Sequence, residues 1–255
     1  MKNKHMLLIL IICTFIGLGL IPRVRAIEYS AGVKEGDELI WICSIYQKEK
    51  MEQLFGNDWD EINASVFKDM EEGAKMKWRI TEIIENAILY SNKTKNNESA
   101  LSIKFDIWNW TKNVDWGSKD SQDQRSLFKN PLNNLDDLIY PNFAPFWLPV
   151  PIGEYMKAME PVLSSGYTVD GRVLLAITIE LNIGDLDGTY PTEYVKVLAL
   201  YNDKGIIRSY KLYITDHFVM VDISLESNPI LEIPLIILLV VLSYIGLAIV
   251  LSKIK

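Results

Sequence analysis

Between two apolar ends, the side chains able to do chemistry are few in kind: one histidine, His217, one cysteine, Cys43, and all 33 carboxylates of the chain. A nucleophile needs a neighbouring base, and a general base needs a tuned pKa, so one imidazole and one thiol are thin material for either. No G-x-S-x-G elbow, H-E-x-x-H helix, Walker loop or cysteine pair occurs. Two carboxylates working as in a glycosidase need only meet in space, so the acids neither name that reaction nor remove it. The expectation is a protein that is not an enzyme, with a carboxylate-dependent hydrolase as the least favoured reading.

Metal and cofactor chemistry is equally bare. Asp185, Asp187 and Gly188 in GDLDGTY have the flavour of a calcium loop, but Thr189 stands two residues after Asp187 and Tyr190 takes the place of the loop glycine. The stretch reads as a turn, and no metal and no cofactor are expected. Cys43 lies in the apolar run LIWICSIY, where a small buried hydrophobe is the expected role.

Binding has one candidate stretch, PNFAPFWLPVPIG. Pro141, Pro145, Pro149 and Pro151 forbid regular helix, while Phe143, Phe146, Trp147, Leu148, Val150 and Ile152 are strongly apolar. Irregular backbone this apolar either plugs the open face of a curved sheet or lines a cavity for an apolar or lipid ligand. A third use, dipping Phe146 and Trp147 into a membrane interface, follows from the preference of aromatic rings for that zone. The six apolar residues are the expected ligand-binding set.

The ends say where such a site would stand. Leu235 to Leu251 carries no charge in seventeen residues, about 26 Å of helix against a hydrocarbon core of about 30 Å. Lys253 and Lys255 follow it, which places the C-terminus in the cytoplasm by the positive-inside rule. At the start, Lys2 and Lys4 precede an uncharged run from Met6 to Ile21 and then Val24-Arg25-Ala26, the order of a secretory signal cut after Ala26. An uncleaved second span is the competing reading, and either leaves the middle of the chain outside. The expected plan is a signal peptide over 1–26, an extracytoplasmic domain over 27–226, a short spacer over 227–233, a transmembrane helix over 234–251 and a basic tail over 252–255.

The domain and spacer hold 20 basic residues against 33 acidic ones, a balance that disfavours nucleic acid as a partner and suits a solvated exterior. Four N-x-Ser/Thr sequons, at Asn63, Asn92, Asn97 and Asn109, fit an exterior location.

Inside the domain the hydrophobic period assigns the elements. Glu38 to Tyr46 reads as a strand covered on both faces, and Lys48 to Phe55 as a helix stopped by Gly56. Trp59, Ile62 and Phe67 suggest a second short helix. From Lys75 the period is two, with Met76, Trp78 and Ile80 against a wet face of Lys75, Lys77, Arg79 and Thr81. A turn is expected at Glu85-Asn86, then strands over Ala87 to Ser91 and Leu101 to Trp108, then a polar loop over 111–131. Leu132 to Tyr140 and Ile152 to Leu163 read as helices. A hairpin about Asp170-Gly171 and strands over Tyr194 to Tyr201, Ile206 to Thr215 and Phe218 to Leu225 complete a second antiparallel meander. The class is α+β: a curved antiparallel β-sheet packed against a few helices.

Two short motifs carry a resemblance. Gly32-Val33-Lys34, Gly36-Asp37 and Trp41, behind a leader and ahead of a C-terminal span, resemble archaeal membrane-anchored surface proteins of the choice-of-anchor type. Tyr201-Asn202-Asp203-Lys204-Gly205-Ile206-Ile207, leading to Ser209-Tyr210, is similar to the late hairpin of lipoprotein-carrier sheets of the LolA and LppX type. The second likeness implies a sheet wrapped over helices with acyl chains held between. The function expected is a membrane-anchored cell-surface binding module for an apolar or lipid ligand. Its alternative is a structural or adhesion component that meets other surface proteins.

Overall fold

The computed structural model describes residues 27–57, 66–113, 115–134, 143–181 and 191–226. The expected signal segment, spacer, anchor and tail lie outside these residues, as do Trp59, Ile62, Asn63, most of Leu132 to Tyr140, and the GDLDGTY turn. Among the described residues no helix is long and apolar enough to cross a membrane.

Nine strands among the described residues form one open sheet: β1 Glu38–Tyr46, β2 Lys75–Ser91, β3 Asn96–Thr111, β4 Ser121–Phe128, β5 Tyr167–Asp170, β6 Ala176–Leu181, β7 Val195–Tyr201, β8 Ile207–Ile214 and β9 Phe218–Leu225. Their order is β4-β3-β2-β1-β9-β8-β7-β6-β5, with each neighbouring pair antiparallel. Two meanders therefore join where the first strand pairs the last. Two described α-helices accompany the sheet, α1 Lys48–Phe55 and α2 Ile152–Met159, so the α+β class holds.

Local chemistry explains most boundaries. Met51 and Leu54, three apart, turn one face of α1 into the core, and Gly56 ends the helix at φ 91°. Ile152, Tyr155, Met156 and Met159 do the same for α2, which tightens into a 3-10 turn over Glu160–Val162. In β1 the buried residues are Leu39, Trp41, Cys43 and Tyr46, while Ile40 and Ile42 are only half-buried. The expected two-sided burial of this strand is thus replaced by one buried face and one partly wet one.

Three further expectations are corrected. Glu85-Asn86 does not turn the chain: β2 runs on to Ser91, and the polar pair is absorbed as a bulge, Ile84 pairing with Ser102 and Ala87 with Ala100. The polar segment 111–131 is not all loop, since Ser121–Phe128 pairs with β3 as the edge strand. Polar side chains suit an edge, where only backbone pairing is needed and Leu127 alone is buried. The turn between β5 and β6 is longer than two residues, Asp170 pairing with Ala176.

One face of the sheet is closed by the proline-rich stretch. Its backbone is stitched to the β7–β8 turn and to the N-terminal lead: Leu148 N–H donates to the Gly205 carbonyl at 2.8 Å, Ile207 N–H to Phe146 at 3.1 Å, and Val150 N–H to Ser30 at 2.9 Å. The indoles lock the same seam, Trp41 Nε1 donating to the Ile207 carbonyl at 2.9 Å and Trp147 Nε1 to Ala31 at 2.7 Å. Buried donors satisfied in this way avoid a desolvation cost of about 1–3 kcal/mol each.

Candidate functional site

The six residues expected to bind a ligand are brought together, but inside the core. Phe146, Trp147, Leu148 and Ile152 are buried, and Phe143 and Val150 are half-buried against the same cluster. The Phe146 ring lies 5.5 Å from Trp41, 5.9 Å from Trp78 and 6.2 Å from Tyr210. Phe143 meets Phe55 at 5.5 Å. Their apolar surface is taken by the protein's own side chains, the arrangement of a plug.

The other residues singled out by their chemistry do not converge. Cys43 is fully buried, and burial pushes its thiol up to about 12, so it stays protonated and unreactive. His217 sits in the 3-10 turn between β8 and β9, with φ 58°, its ring 6.2 Å from Tyr213. Among the described residues no three His, Cys, Asp or Glu side chains group as a metal site.

A cleft instead opens where β3 ends. The alternation Ser102, Lys104, Asp106, Trp108 sets Trp108 opposite to the core-facing Ile103 and Phe105, in register with Lys77 of β2. Beyond it the register slips, Lys77 pairing with Trp108 but Lys75 with Thr111, so β3 carries an extra residue. This bulge re-aims Trp110 toward the core, where its Nε1 donates to the Val66 carbonyl at 2.6 Å. The loop after β3 then returns over the sheet: Trp108 Nε1 donates to Gly117 at 3.3 Å, Asn109 N–H to Asp120 Oδ2 at 2.8 Å, and Asp120 N–H to Ile107 at 2.9 Å.

Lys77 anchors this corner and corrects the wet-face expectation. Only 6% of the residue is exposed. Its ammonium stands 3.9 Å from the centre of the Trp108 ring and 5.0 Å from that of Trp116, with Glu38 Oε1 at 3.7 Å. Aromatic faces carry negative potential, so two indoles and one carboxylate compensate a cation that solvent barely reaches.

The resulting cleft encloses about 360 Å³ and is lined by Trp108, Trp110 and Trp116 together with Asp69, Asn109, Thr111, Asn113, Asp115 and Asp120. Lys77 is not part of the lining; it holds two of the indoles that are. Trp108 and Trp110 are buried, so the aromatic surface a ligand meets is the half-buried Trp116, beside amide, hydroxyl and carboxylate groups that offer paired hydrogen bonds to one small polar ligand. A larger cleft of about 500 Å³ lies between α2 and the β5–β6 turn, lined by Lys157, Glu160 and residues 169–173. Its outer wall is the turn bearing Val173, 83% exposed, and it has no aromatic platform.

Sequence reasoning missed the Trp108 cleft because its parts lie on the end of β3, on the polar loop that follows it and on Asp69 in the turn before β2. One signal was present: a tryptophan at a polar position of an alternating strand.

What the fold and cleft define is an open antiparallel sheet of α+β class with a polar cleft beside Trp108 and Trp116 at the end of β3. Compared with protein-family models, curated proteins and solved structures, the chain has no match.

Proposed function

We propose that this chain is a single-span cell-surface binding module, its domain held outside by Leu235–Leu251, and that the Trp108/Trp116 cleft takes a saccharide. The observation that carries the reading is the cleft itself: the half-buried indole of Trp116, beside the buried Trp108, stands among Asn109, Asn113, Asp115 and Asp120. Pyranose rings present a face of weakly positive C–H groups, which suits an indole, and a rim of hydroxyls, which suits side chains that accept and donate in pairs. The volume is within the lower range of small-ligand sites.

Support for the exterior placement comes from the leader-like start, the apolar run with its basic tail, and the resemblance to anchored archaeal surface proteins. An acyl ligand along Phe143, Phe146, Trp147, Leu148, Val150 and Ile152 would have to displace those side chains from the core, so the polar cleft is the better-supported site. A saccharide-binding surface protein also serves adhesion, which keeps the structural reading within the same proposal.

The test is a glycan array probed with the full chain in lipid nanodiscs, printed with glucose-, galactose-, mannose- and N-acetylglucosamine-terminated oligosaccharides. Retention of at least one class is expected, weakened tenfold or more by Trp116→Ala while the variant still melts in one cooperative transition. A flat array, or binding indifferent to Trp116, overturns the assignment.

A further inference from the structure

The β2–β3 hairpin projects two large apolar side chains into water, Ile88 at 64% exposure and Tyr90 at 59%. They stand two residues apart, so they share a face of the strand. Across the ladder Tyr90 pairs with Asn97 and Ile88 pairs with Ser99. Asn97 and Ser99 are the first and third residues of the sequon Asn97-Glu98-Ser99, and both are exposed. Directly paired residues hold their side chains on the same side with β-carbons about 5 Å apart. The acceptor amide therefore issues beside the phenol ring, and the sequon hydroxyl beside the isoleucine.

The other described sequons lack this arrangement. Asn92 lies in the hairpin turn, and its Thr94 hydroxyl donates to Glu98 Oε1 at 2.9 Å. Asn109 is half-buried at the Trp108 cleft, with Thr111 Oγ1 accepting from Asn113 N–H at 3.1 Å. Among the described residues, a sequon, an exposed acceptor and an uncovered aromatic face coincide at Asn97 alone.

We infer that Asn97 is an N-glycosylation site and that the first sugars of its glycan lie over Tyr90 and Ile88. The inference rests on the exterior placement of the domain and not on the cleft. In the transfer, Asn97 Nδ2 forms a C–N bond to the anomeric carbon of a saccharide carried on a lipid phosphate. The anomeric C–O bond breaks with its electron pair on the departing phosphate, and the amide loses one proton. The attached ring then presents C–H groups to the tyrosine face and removes apolar surface from water.

The experiment is the full chain expressed in a cell that N-glycosylates exported proteins, with peptide mass spectrometry and protease accessibility on intact cells. A glycan mass on the Asn97 peptide, absent in Asn97→Gln, is expected. The glycosylated chain should melt about 2–4 °C above Asn97→Gln, the shift for roughly 1 kcal/mol in a domain of this size, and Tyr90→Ser should erase the difference. An accessible domain whose Asn97 is unmodified, or a glycan whose removal shifts melting by the same amount in the Tyr90→Ser background, overturns the inference. A domain shielded from protease overturns the exterior reading itself, whatever the cleft binds.

Discussion

Gly205, at φ 77°, sits so close under Leu148 that a β-carbon added to it would overlap the Leu148 carbonyl oxygen. The same pair is bonded in the other direction, Leu148 N–H donating to the Gly205 carbonyl at 2.8 Å. The tight β7–β8 turn is therefore the dock on which the proline-rich plug is seated. Glycine is required there twice, for its left-handed backbone and for the missing side chain.

Gly205→Ala should accordingly cost about 2–3 kcal/mol, combining strain at positive φ with displacement of the plug. Urea unfolding should show a lower midpoint at unchanged slope. A loss below about 0.5 kcal/mol would show that the plug tolerates being lifted off the turn.

Two buried tyrosines should part company on losing their hydroxyls. Tyr155 Oη donates to the Phe128 carbonyl at 2.8 Å and accepts from Asn134 Nδ2 at 2.6 Å, so Tyr155→Phe strands the buried Asn134 amide and a half-buried carbonyl and should cost about 1–3 kcal/mol. Tyr210 Oη is buried with no hydrogen-bond partner among the described residues. Tyr210→Phe should be neutral or stabilising by up to about 1 kcal/mol, and equal losses for the two variants would refute the contrast.

Stability should fall steeply in alkali. Burial raises the phenols of Tyr29, Tyr155, Tyr201 and Tyr210, and raises the Cys43 thiol from 9.0 to about 12. Each group keeps its proton in the fold at a pH where the unfolded chain has lost it, so the unfolded state binds fewer protons and stability declines as pH rises. The contribution is complete below about pH 9 and fades above it, through about pH 12 for the thiol. Denaturant midpoints flat between about pH 9 and 11 would contradict this. In a Cys13→Ala background, Cys43 should react with a disulfide reagent only at the rate of unfolding.

Lys77→Glu should destabilise by about 3 kcal/mol or more, because it sets a second carboxylate beside Glu38 and against two indole faces. Lys77→Met keeps the stem and loses only the charge, and should stay within about 1.5 kcal/mol of the parent. If both variants melt alike, the ammonium between Trp108 and Trp116 has no electrostatic role. Saccharide retention on the array should weaken in Lys77→Met, since the indoles lose their anchor.

Much of the fold was legible in the chain. A nearly continuous apolar run placed β1, turn signals placed β7, β8 and β9 within a residue or two, and spacing placed α1 and the start of α2, which gives way to a 3-10 turn short of the expected Leu163. β4 was not legible: Ser121–Phe128 has little hydrophobic pattern, and a strand that only pairs its backbone at an edge leaves almost none. Glu85-Asn86 misled for the opposite reason, a turn-like pair that the long neighbour β3 converts to a bulge.

By itself the sequence determined what depends on local order: the elements with a single hydrophobic period, the apolar runs at the two ends, and the proline spacing that keeps 143–151 irregular. Tertiary structure alone shows how that stretch packs, seating Phe146 among Trp41, Trp78 and Tyr210. It also turned Lys77 from a surface charge into the anchor of a cleft, and paired Tyr90 with Asn97. Burial and cross-strand contact are properties of register between distant segments. A one-residue bulge changes which face a side chain meets, and no local pattern of residues encodes where that bulge falls.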